Sequence, residues 1–143
     1  MTDSITLHVR RTIRASAERL FEAWTTPEQL RRWWGPAHVE CCGAAVDLCV
    51  GGRYHLDNRL PDGRVLRIEG EFERIEPPTT LVYSWRLGPE GPSERVTVRF
   101  SPVDAGTEVS ITHERIASQP VADDHEHGWA GCLDGLVALV EAA

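Results

Sequence analysis

The sequence contains no lysine; all 15 of its basic residues are arginine. A Schiff-base nucleophile, a pyridoxal-phosphate lysine and a Walker lysine are excluded at once. No apolar run approaches the roughly 20 residues that a spanning helix needs, and Met1 to Arg14 alternates without a continuous apolar segment. The four cysteines, Cys41, Cys42, Cys49 and Cys132, form no C-x-x-C pair. They read as free, mostly buried thiols in a reducing cytoplasm rather than as a secreted disulfide scaffold. G-x-S-x-G, G-x-G-x-x-G and H-E-x-x-H are also absent. Positive charge is scarce: 22 acidic residues give a formal charge of −7. A phosphate-backbone binder needs a clustered positive field, so neither nucleic acid nor membrane is an expected partner. Arg10, Arg11 and Arg14, and again Arg31 and Arg32, read as solvated faces.

What is present is periodic. A chain of 143 residues, one domain over 1–143, buries roughly 68% of its unfolded surface, enough for a real core. Ile5, Leu7, Val9 and Ile13 mark a first strand. Ser16 is placed to cap a short helix whose apolar face is Ala17, Leu20, Phe21 and Trp24. Thr26-Pro27-Glu28-Gln29 has the form of a capping box and opens a second short helix carrying Leu30, Trp33 and Trp34, stopped at Gly35-Pro36.

From Cys42 to His113 apolar and polar residues alternate between tight turns. Ala44, Val46 and Leu48 share a face, continued by Tyr54, Leu56 and Asn58 and then by Leu66, Ile68, Gly70 and Phe72. Leu81, Tyr83, Trp85 and Leu87 follow, then Val96, Val98 and Phe100, then Val109, Ile111 and His113. This pattern predicts a seven-stranded antiparallel sheet with one wet face.

At Asp123 to Ala143 the period changes to helical, with Trp129, Leu133, Leu136 and Val140 on one side. A second stripe of Gly128, Gly131, Gly135, Ala138 and Ala142 is unusual, because a helix-interior glycine costs about 1 kcal/mol against alanine. Something must come close there: the sheet, the short helices, a ligand or a second subunit. A homodimer is therefore an open expectation. One sheet and one long amphipathic helix make a two-layer α+β domain.

Phe21-Glu-Ala-Trp24-Thr-Thr-Pro27-Glu-Gln-Leu30 followed by Trp33-Trp34-Gly35-Pro36 resembles the activator-of-heat-shock-protein-90-ATPase homologue family. So do Val46-Asp47 before Gly51-Gly52, Gly70-Glu-Phe72 before Ile75-Glu-Pro77-Pro78, Leu81-Val-Tyr83-Ser-Trp85, Gly106-Thr107 and Gly128-Trp129. The resemblance spans essentially the whole chain. It implies the helix-grip fold of the START and birch-pollen-allergen-like superfamily: a curved sheet wrapped around the C-terminal helix, two short helices after strand 1, and an internal cavity. It further implies binding of a small apolar molecule. A cyclase- or hydrolase-like enzyme in the same cavity and a chaperone-associated interaction domain are the alternatives.

The expected cavity residues are Trp33, Tyr54, Phe72, Tyr83, Trp85, Val98, His113, Trp129 and Leu133. Amphipathic rings around an apolar hollow orient ligands. His113 is the candidate acid–base group, with His125 as a second, since imidazole titrates near neutrality. No cofactor is expected. The spacing His125-Glu126-His127, with His38, Cys41 and Cys42 as companions, suggests a metal. On a helix, however, His127 projects about 160° from the apolar face while His125 lies near it, so no metal is expected either.

Overall fold

Alternation and capping build most of the structure. The computed structural model describes residues 4–35 and 39–141. Strand β1 (Ile5–Ile13) leads to helix α1 (Ala17–Thr25) and helix α2 (Pro27–Trp33). Six strands follow: β2 (Glu40–Val46), β3 (Arg53–Arg59), β4 (Val65–Glu76), β5 (Thr80–Leu87), β6 (Glu94–Val103) and β7 (Gly106–Ile116). Helix α3 (Gln119–Glu141) closes the chain. The expected His38, Pro36 and Ala142 positions lie outside the described residues. Among the described residues no helix is long and apolar enough to cross a membrane.

The strands form one antiparallel sheet in the order β1-β7-β6-β5-β4-β3-β2. Its apolar face packs against all three helices, as the α+β pattern requires. Three register shifts bend it: between Cys41 and Gly43 in β2, between Phe72 and Arg74 in β4, and between Ile5 and Leu7 where β1 meets β7. In the last of these, two residues of β7, Glu114 and Arg115, face Thr6 alone, and Arg115 adopts φ +66°. A bulge exchanges the two faces of its strand and sharpens the twist. Hence His113 and Ile116, three residues apart, both point inward and are fully buried.

Ser16 caps α1 by accepting the Arg19 N–H at 3.1 Å. The capping box expected at α2 does not form, since Thr26 makes no side-chain cap bond. Gln29 instead bonds the Glu22 carboxylate at 2.8 Å and the Arg19 guanidinium. Those longer-range partners tie α2 to α1 and outcompete the local box. Helix α3 begins at Gln119, four residues before the expected start, because Ser118 takes the Val121 and Ala122 N–H groups. Leu48 and Leu87, read as inward, are 43% and 39% exposed. Leu48 lies beyond the end of β2, and Leu87, the last residue of β5, faces the open-sided cavity against α3. Cys49 is exposed rather than buried.

Trp24, Trp33, Trp34 and Trp129 form a continuous indole cluster, with ring centroids 4.9 to 6.1 Å apart, that locks α1, α2 and α3 together. Arg11 and Arg14, on β1 and just after it, pair with Asp134 and Glu141 on α3, so these two arginines are not simply solvated.

Candidate functional site

Among the described residues, two hollows lie between the sheet and the helices. The smaller, about 20 Å³, sits beneath Tyr54, Phe72, Tyr83 and Trp85. The larger, about 350 Å³, is open-sided and lies between the ends of β3, β4 and β5 and the first half of α3. Trp34, Trp85 and Trp129 form its aromatic wall, and Leu60, Leu66 and Ile68 its aliphatic one. Its polar groups are Asn58, Asp124 and His125. Gly128 leaves room there: a Cβ at this position would meet nothing within 4 Å.

The expected residues divide. Trp85 and Trp129 line the large cavity, while Tyr54, Phe72 and Tyr83 line the small one. Trp33, Val98 and Leu133 line neither; they are packed core. Trp33 is fixed by its own indole N–H, which donates to the Ala23 carbonyl at 2.8 Å, and its neighbour Trp34 reaches both hollows instead. The tyrosine hydroxyls are engaged: Tyr54 donates to the Ser84 carbonyl at 2.7 Å, and Tyr83 accepts from Trp24 at 3.2 Å. Burial pushes both phenols upward, so they stay neutral. Trp85 Nε1 is buried with no partner among the described residues.

Beside the large cavity stands a cluster built on Glu94, whose side chain is 3% exposed. Its Oε1 accepts from His113 Nε2 at 2.7 Å and from His125 Nε2 at 2.9 Å. The two imidazoles stack 4.6 Å apart, and the Trp85 indole meets both edge-on. Trp129 Nε1–H donates to His113 Nδ1 at 3.1 Å. An indole N–H can only donate, so Nδ1 must be the acceptor and the single proton of neutral His113 must reside on Nε2. Both nitrogens of His113 are therefore occupied. This places it behind the cavity as a fixed, neutral group, not as the base that the sequence suggested. His125, on the cavity wall, has a partner only at Nε2 among the described residues. His127 is exposed.

Glu94 escaped the sequence reading, yet it shares its parity with Val96, Val98 and Phe100. A carboxylate continuing an inward face was the available signal. Glu94, His113 and His125 offer three metal-type ligand atoms within 4.8 Å. A metal-binding histidine, though, normally donates its other N–H to an acceptor. Here Trp129 presents a donor to that other nitrogen, and the proton it forces onto Nε2 blocks the atom a metal would use. The cluster fits hydrogen bonding better than ligation.

Burial alone raises the Glu94 carboxyl, but the bonds from the two imidazoles outweigh it, and the group lies below its ordinary value. His113 is held low chiefly by burial, with His125 adding to the effect against the opposing pull of Glu94. Both directions have one consequence. A native state that refuses protons the unfolded chain accepts loses stability on acidification. Stability is expected to be full above pH 6.5, to fall below it as His113 is forced to charge, and to fall again below pH 4.5 as Glu94 takes its proton. Thermal melts from pH 8 to 4 check this. A midpoint that stays flat from pH 7 to 5 removes the neutral His113.

A family model described as Activator of Hsp90 ATPase homolog 1-like protein matches residues 14–141. The crystal structure of a Chromobacterium violaceum protein is similar to this chain with a TM-score of 0.89, at 27% identity, over 96% of this chain and 98% of the other. An AHSA1-like protein from Aeromonas hydrophila, solved by NMR, gives 0.80 at 30% identity, over 96% and 93%. A Silicibacter pomeroyi AHSA1 protein gives 0.86 at 20% identity, over 96% and 98%. No curated protein matches the sequence.

Proposed function

Because the chain belongs to the Activator of Hsp90 ATPase homolog 1-like protein family and has its helix-grip fold, we propose that it binds a small apolar molecule in the 350 Å³ cavity between sheet and α3. The cavity itself carries the reading. A concave apolar hollow of this size, walled by three tryptophans and open to solvent on one side, is the form a small-molecule site takes, because a ligand seated there removes that apolar surface from water. Its walls are apolar and aromatic with a few convergent polar groups, the usual constitution of a small-molecule site. The free thiols suit a reducing compartment, and the reading places the protein in the cytoplasm.

Gly128 supplies the test. Leucine there grows into the cavity and replaces a helix-interior glycine, raising helix propensity by about 0.8 kcal/mol. Gly128→Leu is expected to melt at or above the parent temperature while losing any small molecule that co-purifies with the parent. Native mass spectrometry with denaturing extraction measures the second property. A ligand retained unchanged in the folded variant would place binding elsewhere.

One observation favours an enzyme as a second reading: a histidine on the cavity wall, His125, is paired to a buried carboxylate. Glu94 orients the ring through Nε2, leaving Nδ1 for proton transfer to or from a bound molecule. In that case turnover is lost in His125→Gln but ligand binding is kept.

A further inference from the structure

We infer that the molecule this cavity takes is a hydrophobic amine, held as its ammonium ion, rather than a fatty acid or another apolar anion. The inference rests on the binding function proposed above and names its chemical class. It comes from the sign of the side chains that can take part in strong polar contacts at the site: Asn58, Asp124 and His125 with its partner Glu94. The Asn58 amide nitrogen is spent on the Leu56 and Leu66 carbonyls, at 3.2 and 3.3 Å. That anchoring leaves Oδ1, an acceptor, for the cavity side. Asp124 puts a carboxylate at the exposed rim. Behind His125 lies the Glu94 carboxylate, which accepts imidazole N–H bonds and has no arginine partner among the described residues. Among the described residues that line the cavity none is an arginine, and the chain has no lysine. An anion entering here would lose its hydration and find no cation to replace it.

The walls agree with that polarity. Trp34, Trp85 and Trp129 present three indoles, the best of the aromatic faces for a cation. Three N–H donors near the cavity would favour an anion, and each is engaged or enclosed. The positive end of α3 reaches this rim, but its Val121 and Ala122 N–H groups are taken by Ser118 Oγ and the Ser118 carbonyl. The Trp85 indole N–H has no partner, yet its nitrogen is closed off from water and so faces packed protein. Thus the open surface offers acceptors, negative charge and indole rings. An alkyl or aryl ammonium uses all three.

Three probes of matched chain length separate the head groups: octylamine, octan-1-ol and octanoate. At pH 8 the amine is charged, the acid is ionised, and imidazoles are ordinarily neutral. Titration by tryptophan fluorescence, confirmed by calorimetry, is expected to rank octylamine at least about tenfold tighter than the alcohol, with octanoate weakest. Asp124→Asn, an exposed change that leaves the core alone, is expected to reduce the amine's advantage by about threefold. Gly128→Leu should bind none of the three. Octanoate or octan-1-ol binding as tightly as octylamine would overturn the inference and leave the binding function standing. If all three probes fail to bind the folded parent, the binding function beneath it falls as well. An amine advantage unchanged in Asp124→Asn would overturn the part given to Asp124.

Discussion

Replacing Glu94 with alanine should lower the unfolding free energy by about 3 kcal/mol, a large share of the 5–15 kcal/mol typical of a domain. The carboxylate accepts two imidazole N–H bonds through one oxygen while its side chain is 3% exposed. Bonds to a charged group contribute about 1.5–3 kcal/mol each, and a buried donor left without a partner costs about 1–3 kcal/mol more. His113 would be such a donor. It is fully buried, and its tautomer cannot change, because Trp129 occupies the other nitrogen. His125 suffers less, since it lines the open cavity and water can replace Glu94 there. Relief from burying a carboxylate offsets part of the loss, which keeps the expectation near 3 kcal/mol rather than 6. Glu94→Gln retains an acceptor oxygen of the same reach and should cost only about 1 kcal/mol. It should also remove the Glu94 share of the fall in stability below pH 4.5, leaving the part that comes from Asp57 and Asp62, which are likewise held below their ordinary values. Urea melts of the three proteins decide the matter. An alanine variant within 1 kcal/mol of the parent would show that the cluster contributes little to the fold.

Much of this arrangement was legible beforehand, and the illegible parts have specific causes. Period-2 alternation found all seven strands and put Tyr54, Tyr83, Trp85 and His113 inside, because a half-buried strand leaves its face in the sequence. It did not show that Cys41, Ile75 and Ile116 also turn inward. Each lies beside a bulge, where one extra residue exchanges the faces without any compositional mark. Glu94 was hidden for a related reason. It follows the Gly88–Ser93 turn, and a charged residue beside a Gly-Pro loop reads as part of the loop. Only its parity with Val96 betrays it. The tautomer of His113 was beyond reach altogether, since it depends on an indole from α3 meeting β7, a contact 16 residues apart in the chain. The capping box failed in the opposite sense: the local signal was present, but Gln29 found better partners on α1.

The glycine stripe on α3 gives the second large effect, because two of its members make opposite demands. The same substitution, glycine to alanine, should destabilise at position 135 and stabilise at position 128. At Gly135 a Cβ would stand 2.4 Å from the Trp33 carbonyl oxygen and 3.3 Å from its carbon. The close approach is therefore that of α2. Retreat is difficult, since Trp33 is anchored to the Ala23 carbonyl and packed 4.9 Å from Trp24. Overpacking of this kind costs about 1–3 kcal/mol or more. Alanine's better helix propensity returns about 1 kcal/mol, so Gly135→Ala should lose about 2 kcal/mol net. At Gly128 the same methyl meets nothing within 4 Å, and only the propensity gain remains, about 0.5–1 kcal/mol. In a domain of this size about 3 kcal/mol between the two variants corresponds to roughly 10 °C in melting temperature. Scanning calorimetry of both proteins measures it. Two variants melting together would mean that α2 yields freely, and the cause of a glycine at 135 would have to be sought away from Trp33. The divergence, if seen, separates two reasons for a small residue that look identical in sequence. At 135 the chain needs room for its own backbone; at 128 it keeps room for something else.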